Sequence, residues 1–135
     1  MNEFTYFSSY TEVRDVYLKE ITFPNGKVEF KLSDRVDIEP VVGGFPLTYA
    51  KKIDEIAIST GSATGYVLLK KYTFNYDYFS INAGYKGKRL KLLSVTEGSG
   101  TTTRPPYVFT YNQLELPDKD SKSIDHWGYF NNAPT

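Results

Sequence analysis

The strongest constraint on how this chain can fold is a pattern that occurs three times. An apolar pair three residues apart leads through a loop into a strand that alternates apolar and polar residues. Leu18 and Ile21 precede Val28, Phe30 and Leu32; Ile53 and Ile56 precede Tyr72, Phe74 and Tyr76; Leu92 and Val95 precede Tyr107, Phe109 and Tyr111. The copies start 35 and 39 residues apart, a spacing that marks a repeated supersecondary unit. A two-residue alternation puts successive side chains on opposite sides of an extended backbone, so the unit is a β-hairpin and not a helix pair. Hairpins are expected over about 17–32, 53–79 and 90–112. Such repetition builds a surface and does not by itself name a chemistry.

The turns agree with that division. Pro24-Asn25-Gly26 combines a proline that presets φ with an Asn-Gly pair suited to a tight hairpin turn. Thr60 to Gly65 reads as a polar, flexible tip, and Gly98 to Thr103 as the third turn. Lys70 and Lys71 interrupt both faces of the long strand Tyr66–Tyr76, which predicts a bend or bulge there. Pro40, Gly43, Gly44 and Pro46 confine residues 33–50 to a loop with room for a short turn near Val36–Val42. Phe4, Tyr6 and Phe7 offer one further edge strand. No helical period runs for ten residues. The whole chain, 1–135, is therefore expected to be a single all-β domain: an antiparallel meander of about six to eight strands, forming a curved sheet or a sandwich. Its open edges must be closed, covered or handed to neighbours.

Composition narrows the function. Sixteen basic residues balance sixteen acidic ones, so no bulk positive field draws nucleic acid. The lack of cysteine excludes disulfides, thiol catalysis and cysteine-ligated zinc. No apolar run reaches the roughly 18 residues of a membrane-spanning helix, so no membrane insertion is expected. Met1-Asn2-Glu3-Phe4 lacks the basic start and apolar stretch of a signal peptide, which for an exported protein would make this an internal piece. Twelve Tyr and nine Phe exceed what one core face needs. Tyr66, Tyr72, Tyr76, Tyr78 and Tyr85 are therefore candidate platforms for a sugar or a protein partner, set against ordinary cross-strand pairing.

The tail Ser123–Asn132 carries the single His and the single Trp. Asp125 and His126 suggest an acid/base pair, with Trp127 and Tyr129 as stacking rings. Neighbouring residues on a strand point to opposite faces, so Asp125 cannot orient His126 there, and no nucleophile accompanies them. A packing motif, with rings over the sheet and polar groups fixing a turn, accounts for the same residues. Asp118-Lys119-Asp120 resembles the start of a calcium loop, but Lys122 and Ser123 stand where that loop needs an acidic or amide residue and a glycine. Gly84 to Arg89 lacks the spacing and the Lys-Ser/Thr ending of a phosphate loop. Lys86, Lys88, Arg89 and Lys91 read instead as an exposed turn and strand face. No enzyme activity, cofactor or metal is expected.

The stretches Leu92–Thr96, Pro105–Asn112, Leu116-Pro117 and Asp125-His126-Trp127-Gly128-Tyr129-Phe130-Asn131 together resemble the region preceding RHS/YD-type repeats in large surface or secreted proteins of Bacteroidetes. Leu18 to Leu32, with its Pro-Asn-Gly turn, looks like the same material. The resemblance spans about residues 17–132 and is most specific in the Asp-His-Trp-Gly-Tyr-Phe-Asn stretch. It implies a β-rich segment of a long chain at the cell surface or secreted, whose partners are neighbouring repeats of that chain. It implies no catalytic residues. Function is thus expected to be that of a non-enzymatic structural or interaction module; the alternative is a carbohydrate-binding module that uses exposed Tyr and Trp127.

Overall fold

A computed structural model describes residues 16–40, 49–79, 84–113 and 116–131. Among these residues seven strands follow one another: β1 (Glu20–Phe23), β2 (Gly26–Asp34), β3 (Lys51–Ser62), β4 (Gly65–Phe79), β5 (Arg89–Ser99), β6 (Thr102–Thr103) and β7 (Tyr107–Val108). β1 to β6 lie side by side in chain order, every pairing antiparallel, and β7 also pairs with β5. The result is a single open meander sheet, with no helix among the described residues. The expected strand around Phe4–Phe7 and most of the loop 33–50 lie outside the described residues.

The first hairpin turns on Pro24 and Asn25, as the sequence predicts. Gly26 is required just after this turn, because a Cβ there would meet the Ser59 carbonyl oxygen at 2.4 Å. The second hairpin corrects the expectation of a long flexible tip. Ladder pairing runs on to Ser62↔Gly65, leaving only Ala63 and Thr64 outside it. Gly61 makes this closure possible with φ at 125°, a backbone state that other residues rarely adopt.

Each long pairing carries one register shift, between Lys31/Leu32, Ile58/Ser59 and Asn75/Tyr76. The residues skipped are Asp54 in β3, Leu69 in β4 and Leu93 in β5. An extra residue bends a strand and increases its twist, and it changes the spacing of residues that share a face from two to three. That is why Ile53 and Ile56, and Leu92 and Val95, are three apart: a bulge residue stands between the members of each pair.

Register also sorts the faces, since directly opposed residues share a side. Ile21, Val28 and Ile58 form one transverse row; Phe30, Ile56 and Tyr72 a second; Phe74, Val95 and Tyr107 a third. The opposite face holds rows such as Lys31, Glu55 and Thr73. There Lys31 and Lys71 reach Glu55 at 2.7 and 3.2 Å, and Lys91 reaches Asp77 at 3.3 Å.

One end of the sheet is tied by a polar clasp that no local pattern foretold. Past β2 the chain turns so that Asp37, only 2% exposed, accepts hydrogen bonds from Arg35 Nε and Nη2 at 2.9 and 2.7 Å and from the Leu90 amide at 3.1 Å. Lys119 donates its ammonium to the Asp37 carbonyl and to the Tyr85 carbonyl, and its amide bonds Lys86 O at 3.0 Å. Arg89 Nη2 holds the Pro117 carbonyl at 2.7 Å, and Lys86 pairs with Asp120. Arg89 and Lys91 are accordingly half-buried, which corrects the reading of that basic cluster as wholly exposed.

Candidate interaction surface

An antiparallel sheet with one apolar face normally gains stability by covering it. Here the apolar rows stay open: among the described residues no hydrophobic side chain is buried. Phe30, Ile56, Ile58, Phe74 and Val95 are half-buried by their in-plane neighbours, and Ile53 and Leu69 are exposed. A corner of this face carries charge, where Lys70, opposite Ile58, bonds Glu97, opposite Tyr72, at 3.0 Å.

The candidate tyrosines divide between surfaces. Tyr72, Tyr76 and Tyr78 follow one another along β4 on the apolar side, opposite Glu97, Leu92 and Leu90. Tyr76 lies against Phe74 with ring centroids 6.4 Å apart, and Lys52 approaches its ring at 5.0 Å. Burial, then the Asp54 carboxylate, raises the Tyr76 phenol above its ordinary value. The Tyr78 hydroxyl accepts the Val36 amide at 3.2 Å, joining this row to the clasp. Tyr66 stands apart, beyond the bulge at Leu69, with the Lys27 ammonium 4.7 Å from its ring centroid. Tyr85 is exposed in the turn before β5, and its carbonyl is held by Lys119.

His126, Trp127 and Tyr129 form a third location. Ile124 and Phe130 bridge, and the Asp125 amide bonds the Tyr129 carbonyl at 2.8 Å. One Asp125 carboxylate oxygen accepts the amides of Trp127 and Tyr129, both at 2.9 Å, and Gly128 takes the turn at φ 85°. Asp125 is thus the anchor of a tight turn and is not aimed at His126. The ring part of the packing expectation is corrected: Trp127 is 78% and Tyr129 73% exposed, so neither covers the sheet. The His126 and Trp127 rings meet edge to face at 5.2 Å. Among the described residues no three His, Asp or Glu side chains converge as a metal site.

The two edges differ. A bond from Phe30 N to Lys19 O, at 2.9 Å, sets the phase of the β1–β2 ladder and turns the Glu20 and Thr22 backbone groups outward. The β5 edge is strapped: Arg104 N bonds Glu97 O at 2.8 Å, Phe109 N bonds Leu93 O at 2.9 Å, and the Tyr111 hydroxyl bonds Leu92 O at 2.7 Å. Pro105 and Pro106, within the strap, have no N–H to offer a further strand. Sequence reasoning identified the long strands and the rings but missed Asp37 and the roles of Lys119 and Arg89 in the clasp. No known family profile matches the sequence, no curated protein is detectably similar to it, and no solved structure matches its fold.

Proposed function

We propose that this chain is a non-enzymatic structural and interaction module, one leaf of a β assembly whose apolar face is completed by another β segment. The observation that carries this reading is the sheet without a single buried hydrophobic residue among those described. Burying apolar surface is worth about 25 cal/mol per Å², and large exposed apolar faces mark sites of association. The resemblance of Asp125–Asn131 to the region before RHS/YD-type repeats supports a surface or secreted setting, with neighbouring repeats as partners. Strand addition at β1 is a smaller, second contact. The test is binding of an environment-sensitive dye such as anilinonaphthalene sulfonate to the purified chain under native conditions. Strong fluorescence is expected; a folded, concentrated sample that gives none contradicts an open apolar face or shows it already filled, which oligomeric state then distinguishes.

A second reading, glycan binding, is favoured by Trp127 and Tyr129, displayed on a turn that Asp125 holds rigidly. Aromatic rings presented in this way stack on the apolar faces of sugars. Trp127 is the single Trp in the chain, so its fluorescence reports this site alone. A saturable change on titration with oligosaccharides, lost in Tyr129→Ala, would favour this reading over the first.

A further inference from the structure

We infer, resting on the reading of β1 as a contact of this module, that β1 pairs edge to edge with β1 of a second copy. The two strands run antiparallel about a two-fold axis at Ile21, and two sheets join into one.

The β1 edge is bare. All four of its residues are exposed, as are Val16 and Leu18 before it, and among the described residues no strand lies outside it. The Lys19 carbonyl faces β2, where it accepts the Phe30 amide; Ile21 and Phe23 face β2 in turn, and the backbone groups of Glu20 and Thr22 point outward. Unpaired groups of this kind are a template for another strand. The other outer strand, β5, is strapped, which leaves β1 to meet its own copy.

Only one register suits that meeting. Outward residues must oppose outward residues, so the two-fold axis falls at Glu20, Ile21 or Thr22. At Glu20 it sets two like charges directly opposite each other, which is destabilising. At Thr22 it sets Glu20 against Pro24, which has no N–H to return a bond. At Ile21 it pairs Glu20 with Thr22 of the second copy, twice over, and each pair exchanges both N–H···O bonds. These side chains already suit each other: within one chain the Thr22 hydroxyl donates to Glu20 Oε1 at 3.0 Å. Glu20 of the second copy also joins the row of Thr22 and Lys27, and Lys27 is the cation that Glu20 approaches at 3.4 Å in its own chain. On the other face Ile21 meets Ile21, so the row Ile58, Val28, Ile21 continues through the axis into its counterpart. Net charge is zero, so copies do not repel at long range.

The chain has no cysteine, so single introduced cysteines report the register. Across an axis at Ile21 the two Ile21 Cα atoms lie about 4.5 Å apart, within disulfide reach. Glu20 and Thr22 lie roughly 7–8 Å or more from their own counterparts. Ile21→Cys, Glu20→Cys and Thr22→Cys are each equilibrated in a glutathione redox buffer, alongside sedimentation equilibrium of the wild type and of Thr22→Pro. Thr22→Pro removes an outward amide and leaves the β1–β2 ladder intact. The expected result is a wild-type mass of twice 15.4 kDa, with association weakened at least about tenfold in Thr22→Pro. Covalent dimer in Ile21→Cys should exceed that in the other two cysteine variants at least about tenfold. Circular dichroism establishes that each variant is folded. Amide exchange of the wild type, in which protection of Glu20 and Thr22 rises with concentration, keeps the test decisive if a variant fails to fold. Cross-linking strongest in Glu20→Cys or Thr22→Cys overturns the register, and a dimer untouched by Thr22→Pro overturns the edge contact. A monomer at all concentrations overturns the pairing too: one that binds the dye leaves the module reading standing, whereas one that excludes the dye removes that reading as well.

Discussion

Asp37 sets the chemistry of the clasp. Burial pushes its carboxyl up, but the paired bonds from Arg35, the Leu90 amide and the Arg35 charge outweigh this and hold it below its ordinary value. A lowered carboxyl stabilises the fold above the unfolded-state value, near 3.8, and that contribution disappears as pH falls through the lowered folded value. Asp37→Asn should therefore cost about 2–3 kcal/mol at neutral pH. Urea midpoints of wild type and variant should converge as pH is lowered below the ordinary carboxyl range. Of the partners of Asp37 only Arg35, two residues away, lies near it in the sequence. Leu90 and Lys119 are 53 and 82 residues away, and pairing at that distance leaves no local pattern. Asp125, by contrast, was legible in part: its neighbours suggested a turn, although not that one oxygen would hold both Trp127 and Tyr129 amides.

The first two hairpins were readable because alternation and turn chemistry are local; the third pairs only over Thr102–Thr103 and Tyr107–Val108, where Pro105-Pro106 interrupts the expected return strand through Phe109 and Tyr111. Val28, Phe30 and Leu32 announce β2, and Pro24-Asn25-Gly26 announces its turn. The bulges were present in the same letters as apolar pairs three apart, but only register identifies Asp54 and Leu93 as the extra residues. The tight second hairpin depends on Gly61, where an added Cβ would lie 2.1 Å from the Gly65 carbonyl oxygen. Gly61→Ala should lower stability by about 1–3 kcal/mol, measured by thermal or urea unfolding, and should increase amide exchange in Thr60–Tyr66 above the rest of β4. The C-terminal segment depends on Lys119 in the same way. Lys119→Ala should make tryptic cleavage after Lys122 about tenfold faster, equivalent to about 1.4 kcal/mol, while the far-ultraviolet spectrum of the sheet is unchanged.

For the molecule as a whole, the decisive property is a sheet whose charged face is internally compensated and whose other face is apolar. Association through the apolar face has no net charge to screen, so adding sodium chloride should leave it unweakened, and sulfate should strengthen it. Light scattering at increasing ionic strength checks both; dissociation by moderate salt would point to the Lys31, Glu55 and Lys71 face instead. The strap along β5 has a consequence for how far any assembly can extend. With Pro105-Pro106 closing one side, β1 is the edge among the described residues at which strands can add, so growth by edge pairing stops at two copies and anything larger must be built through the apolar face. Pairs joined at β1 have no strand edge left to recruit a third, so edge pairing alone does not draw this hairpin repeat into a fibril.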